Sequence, residues 1–271
     1  MRARGTYRRR SGAAGSRLLR YLVRVSPFRT DYNSPMKIPV SVVVALLVCT
    51  AAQAQEGRLP ASVDISDEPH HTVLFENPEI RVFRLELQPG EATLPHRHKN
   101  LYAYMSLHPC TIGNEVRGRP PVIVSLEGSE VHTSKGGFTL AERNKSTELA
   151  DLIVIEALKS DGIGFATPIG GFPIHDAAFG ELFEFPVMRG YTMTIAAGGR
   201  TEKHDENYDR LVVAVSDLKL RENSAGQTSS ELQMKAGDVK WFPRGINHAT
   251  TNTGTSPATF ITLEFNRPVV Q

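Results

Sequence analysis

Slid along itself, the chain matches at an offset of 108 residues, and this self-similarity constrains the fold more than any single motif. Phe75 to Glu91 (FENPEIRVFRLELQPGE) lies over Phe183 to Gly199 (FEFPVMRGYTMTIAAGG), pairing Phe75 with Phe183, Glu76 with Glu184, Pro78 with Pro186, Arg81 with Arg189 and Gly90 with Gly198. The same offset, without a gap, brings His96 onto His204, Gly137 onto Gly245, Asn144 onto Asn252 and Glu156 onto Glu264. A match sustained over about 80 positions predicts two copies of one domain. We place them at residues 55–165 and 166–271, joined by the Gly- and Pro-rich stretch from Ser160 to Pro173.

Each copy reads as strands. IRVFRLEL, YAYMSL, PVIVSL and DLIVIEAL in the first, and YTMTIA, RLVVAVSDLKL, DVKWFP and TFITLEF in the second, are short and rich in β-branched and aromatic residues. Clusters of Gly, Pro, Asn and Ser bound them, as strand ends require. No segment sustains a helical period. The expected class is therefore all-β, sandwich or barrel, with a single large β domain as the alternative.

Charge divides the chain differently. Residues 1–54 carry ten Lys or Arg against one acid, Asp31, while the remainder carries 21 against 28, a net −7. An acidic body argues against nucleic acid as a partner. The leader itself reads as an export signal from Met36: Lys37, an apolar run ending near Cys49, then the small-x-small pattern Ala52, Gln53, Ala54. The apolar run is shorter than the roughly 20 residues of a membrane span. This predicts a start at Met36, cleavage after Ala54, a periplasmic or secreted domain and no lasting membrane anchor. Cleavage leaves Cys110 as the sole cysteine, so no intrachain disulfide can form and the core must hold the fold.

The second copy contains GDVKWFPRGINHATTN, Gly237 to Asn252: Gly, five residues, Pro, one residue, Gly, two residues, His, three residues, Asn. In this spacing the chain resembles the cupin superfamily, and Gly90 through His98, with its His-x-His, partly matches that family's first motif. The resemblance covers nearly all of the chain after the leader, as a bicupin, and implies two tandem double-stranded β-helix barrels of jelly-roll type. Strand alternation independently points His96 and His98 the same way.

By this resemblance the first barrel keeps His96 and His98 but has Tyr102 at the family's carboxylate position and Leu140 at its second-motif histidine. The second has His204, Glu206 and His248, with Arg210 at the carboxylate position. Two imidazoles and a carboxylate match the facial triad of non-haem iron sites. The implied cofactor is a divalent metal, iron or manganese favoured, zinc or nickel admissible, with His96 and His98 as a second candidate site. Tyr102 and Arg210 lie an even number of residues from the ligands and share their face. Arg210 could clamp a substrate carboxylate or bridge to Glu206 or Glu264, and Glu156 and Glu264 could act as general base or support a ligand histidine. His70 and His71 read as solvated, His108, His132 and His175 as surface or loop, and Trp241 as core. The expected function is a metal-dependent enzyme acting on a small anionic or phenolic molecule, of oxygenase, decarboxylase, lyase or isomerase type. A non-catalytic ligand-binding or metal-storing module is the alternative, and a homodimer is a family-level expectation.

Overall fold

The computed structural model describes residues 61–224, 226 and 228–266. The basic leader, the start at Met36 and the cleavage site lie outside the described residues. Apart from one 3₁₀ turn at Ile65–Asp67, the regular structure described is all strand. Among the described residues no helix is long and apolar enough to cross a membrane.

The first half contains β1 (Val63–Asp64), β2 (His71–Glu76), β3 (Ile80–Leu87), β4 (His96–His98), β5 (Tyr102–Ser106), β6 (Cys110–Val116), β7 (Val122–Leu126), β8 (Val131–Ser134), β9 (Phe138–Asn144) and β10 (Ala150–Ala157). They form two five-stranded sheets, ordered β1-β4-β9-β6-β7 and β2-β3-β10-β5-β8. The second half contains β11 (Ile174–Glu184), β12 (Met188–Thr201), β13 (His204–Glu206), β14 (Asp209–Ala214), β15 (Leu218–Ser224), β16 (Ser230–Met234), β17 (Val239–Phe242), β18 (Ile246–Asn252) and β19 (Ala258–Phe265). Here one continuous sheet runs β16-β15-β18-β12-β19-β14-β17, with β11 on β12 and β13 on β18. The continuity comes from β12, which pairs with β19 over Met188–Ile195 and reaches β18 at Arg200. Gly198, at φ +78°, adopts a conformation that β-branched residues avoid and so lets this long strand turn the corner.

The two barrels share a core. Ile80, Val82, Ile153 and Ile155 of the first pack in one buried cluster with Leu211, Val213, Ile261, Leu263 and Phe265 of the second. β10 is buried at all eight positions, as a strand covered on both faces must be. Trp241 stacks on Phe75 at 5.9 Å and joins this cluster, the core role expected of it. A satellite cluster fills each barrel, around Leu85, Leu87 and Leu152 in the first and Met193, Leu220 and Phe260 in the second.

Asn144 and Asn252, 108 residues apart, make matching hydrogen bonds. Asn144 donates to the carbonyls of Leu87 and Glu148 and accepts from Ser146. Asn252 donates to those of Ile195 and Ser256 and accepts from Gly254. Each asparagine ties its last hairpin turn to the strand that opens the barrel. His96 faces Leu140 across β4 and β9, and His204 faces His248 across β13 and β18. The glycines before those partners, Gly137 and Gly245, both sit at positive φ.

Candidate metal centre

β13 and β18 run antiparallel with His204 opposite His248 and Glu206 opposite Ile246. Direct cross-strand partners share a face, and Glu206, two residues from His204, shares it too. Three side chains from two strands therefore converge. Their ligand atoms all lie within 4.8 Å of one another. Glu206 Oε1 is 3.3 Å from His204 Nε2 and 3.0 Å from His248 Nε2. Neighbouring donors around a first-row ion with bonds of about 2.1 Å stand about 3 Å apart, so the spacing fits a coordination shell.

The outer partners set the tautomers. His204 Nδ1 donates to the carbonyl of Glu202 at 2.8 Å, and His248 Nδ1 bonds to Glu222. With both Nδ1 atoms used as donors, both Nε2 atoms face the centre, where they donate to Glu206 when protonated and would offer lone pairs to an ion when neutral. Glu222 is held in turn by the Thr250 hydroxyl at 3.0 Å, giving the carboxylate–histidine arrangement that orients metal ligands. Burial works to raise the Glu206 carboxyl, yet the bonds from His204 and His248 and the charge of Arg210 hold it far below the ordinary carboxylate range. Burial likewise opposes a charge on His248, and Glu206 and Glu222 overcome it and raise that imidazole.

Arg210, on β14, lies 2.8 Å from Glu206 through Nη1, off the hydrogen-bonding direction, and 3.5 Å from His248 Nε2 through Nη2. Of the two roles kept open for it, the bridge to Glu206 is the one observed. The four residues line a cavity of about 40 Å³, walled by Tyr191, Met193, Val212 and Phe260. A water needs roughly 10–15 Å³ of such space, whereas a cavity of about 150 Å³ admits benzene. The space suits a molecule of few heavy atoms. Phe172, from the segment between the barrels, stacks on His204 with ring centroids 3.7 Å apart and covers one side.

Glu264 is not part of this site. It accepts from Arg189 Nε at 2.5 Å, and Arg189, 2% exposed, also donates to the carbonyl of Thr167 and lies over Phe165 at 4.2 Å. The expected general base is a structural anchor for the segment entering the second barrel. Glu156 differs: its Oε1 is buried with no hydrogen-bond partner, and burial pushes its carboxyl up to about 7. Tyr102 lines the first barrel, stacked on His98 at 4.2 Å, and burial raises its phenol above the ordinary range.

In the first barrel, His96 and His98 are fully buried with their Nε2 atoms 3.0 Å apart. Burial pushes His98 down to about 3 and lowers His96 as well. The expectation that His70 and His71 are solvated is overturned. His71 is buried on β2 with its ring centroid 4.7 Å from that of His96, and His70 is held between Glu68 and Glu91. Glu142, two residues past Leu140 on β9, completes a second cluster with His71 and His96. Glu142, His71 and Glu222 were missed in the sequence; alternation from Leu140 puts Glu142 on the same face and could have found it, whereas nothing in the sequence pattern marks His71 or Glu222.

No family model and no curated protein matches the sequence. Solved structures match by fold. AerE from Microcystis aeruginosa superposes with a TM-score of 0.51 at 13% identity, covering 74% of this chain and 99% of its own. A variant of Bacillus subtilis oxalate decarboxylase gives 0.53 at 13% identity over 88% of this chain and 87% of its own. Procruciferin, an 11S globulin of Brassica napus, gives 0.53 at 8% identity over 69% and 76%. The chain has the cupin fold. Two tandem barrels of jelly-roll type account for its strands. Identities this low speak for the fold alone, and the fold does not fix a reaction.

Proposed function

We propose that the second cupin barrel is the centre of a metal-dependent enzyme acting on a small anion, with a divalent ion held by His204, Glu206 and His248. The observation that carries this reading is the convergence of two Nε2 lone pairs and one carboxylate oxygen on a cavity of about 40 Å³. Iron or manganese suits an imidazole–carboxylate donor set, and a Bacillus subtilis oxalate decarboxylase of the same fold is described with Mn(II) centres. When bound, the ion supplies Lewis-acid polarisation of a ligand oxygen and activation of a molecule at an open position.

The chain's own residues do the rest. Glu222 and the carbonyl of Glu202 fix the two imidazole rings. Apolar walls exclude bulk water and strengthen charge interactions inside. Arg210, released from Glu206 when that carboxylate turns to an ion, offers its guanidinium to a substrate carboxylate. A phenolic substrate would require Phe172 to move, so the cavity favours the smaller of the two substrate classes considered. Export to the periplasm or beyond, from the Met36 to Ala54 segment, belongs to the same reading.

One observation favours a second reading. Arg210 stands where cupins carry a ligand carboxylate, and its 2.8 Å approach to Glu206 puts a permanent cation beside the donors. In that reading Arg210 replaces the metal, and the barrel is a non-catalytic cup for a small anion. Metal analysis of tag-free protein separates the two. The enzyme reading expects bound metal that is lost in His248→Ala, and equal metal in the two samples contradicts it.

A further inference from the structure

The first barrel carries its own convergence of ligand atoms, and it does not follow the histidine pair. We propose that a first-row divalent cation, zinc the best match, is held between Nε2 of His71, Nε2 of His96 and a carboxylate oxygen of Glu142. The inference does not depend on a metal in the second barrel.

The donor atoms of these residues all lie within 4.8 Å of one another. Each is set by a partner outside the cluster. His71 Nδ1 donates to Glu68 Oε2 at 2.7 Å, and Glu68 is fixed by the backbone N–H groups of His70 and Leu94. His96 Nδ1 donates to the carbonyl of Leu94 at 2.9 Å. Both rings therefore turn an Nε2 lone pair inward. His71 Nε2 and Glu142 Oε2 are buried with no hydrogen-bond partner. Glu142 Oε2 is 3.5 Å from His96 Nε2 and 3.8 Å from His71 Nε2. Those separations are longer than ordinary hydrogen bonds and lie near the roughly 3.4 Å between tetrahedral donors with bonds of about 2.1 Å, with a contraction of a few tenths of an ångström needed at His71. His71 Nε2 and Glu142 Oε2 are buried without a partner, which is unfavourable, and His96 Nε2 has only the Nε2 of His98 at 3.0 Å; a cation would satisfy the first two and take His96 as its third ligand.

The site shares only His96 with the family's ligand positions, two of which hold Tyr102 and Leu140 here. Glu142 lies one pleat beyond Leu140 on the same face of β9, and His71 comes from β2 in the opposite sheet. His98, stacked on Tyr102, borders the group, with its Nε2 3.0 Å from that of His96. Because β2 belongs to one sheet and β4 and β9 to the other, the cation would staple the two sheets of the first barrel. With His96 fully buried and His71 5% exposed, the cation would sit away from bulk solvent, and three protein ligands would leave one tetrahedral position open.

The test uses the full tag-free chain, stripped of metal, dialysed against Zn(II) and counted by elemental mass spectrometry. His71→Ala and Glu142→Gln should each bind one equivalent fewer than wild type, and His248→Ala should retain the equivalent they lose. The Gln substitution keeps size and hydrogen-bonding capacity, so a loss in a variant whose circular dichroism matches wild type reports the ligand rather than the fold. Zinc should also raise the melting temperature of His248→Ala, and do so less in the His248→Ala, Glu142→Gln double variant. Zinc content equal to wild type in either His71→Ala or Glu142→Gln overturns the proposal. If the second barrel holds no metal, the count falls from one to none and the proposal stands.

Discussion

Glu156 provides a quantitative test of what burial does to a carboxyl left without a partner. Its counterpart Glu264 is paired with Arg189, but Arg81 is drawn 2.7 Å onto Glu76, leaving Glu156 2% exposed with an unpartnered Oε1. Burial raises its carboxyl from 4.5 to about 7, against the opposing charge of Arg81. Between those values the folded chain keeps a proton that the unfolded chain releases. Stability contributed by this group is therefore complete below pH 4.5 and is lost as pH rises towards 7. At about 1.4 kcal/mol per pH unit, the loss across the window is about 3 kcal/mol. For a domain of this size that is roughly 6–12 °C in melting temperature. Glu156→Gln cannot ionise, so its stability minus that of wild type should grow by this amount between pH 4.5 and pH 8. Denaturant titrations of the two proteins at both pH values measure the difference and cancel effects common to both. A difference that does not change with pH refutes the reasoning.

Two further outcomes follow from the site. Glu264→Gln removes the nearer of the two carboxylates around the buried Arg189 guanidinium, leaving Glu184 at 3.5 Å, and should cost up to about 3 kcal/mol in thermal unfolding, without changing metal content in the second barrel. Glu222→Gln removes the carboxylate that orients His248 and should weaken metal binding about 10–100-fold in a chelator competition, with the ligands themselves intact.

What could be read from the sequence was what depends on short spacings. Alternation placed His96 beside His98 and Glu206 beside His204, the spacing from Gly237 to Asn252 picked out His248 and Asn252, and the offset of 108 added Asn144. The offset of 108 aligned Glu156 with Glu264 but could not show their different fates, because these turn on which acid captures Arg81 or Arg189. His71 was misread because its burial depends on β2 pairing with β3 through a bulge between Val73 and Phe75. Glu222 was missed for a similar reason: β15 meets β18 only through long-range pairing, with Ser224 opposite His248 and Glu222 opposite Thr250. The cluster shared by the barrels around Ile155 and Leu263 was not legible in the sequence. Hydrophobic periodicity marks a face as buried without naming what covers it.

Anomalous diffraction from crystals grown with Mn(II) tests the central claim most directly. The account predicts a peak in the second barrel about 2.0–2.3 Å from Nε2 of His204, Nε2 of His248 and a carboxylate oxygen of Glu206, with the Arg210 guanidinium displaced from that oxygen. A map without such a peak, in which Arg210 still bridges to Glu206, would contradict it.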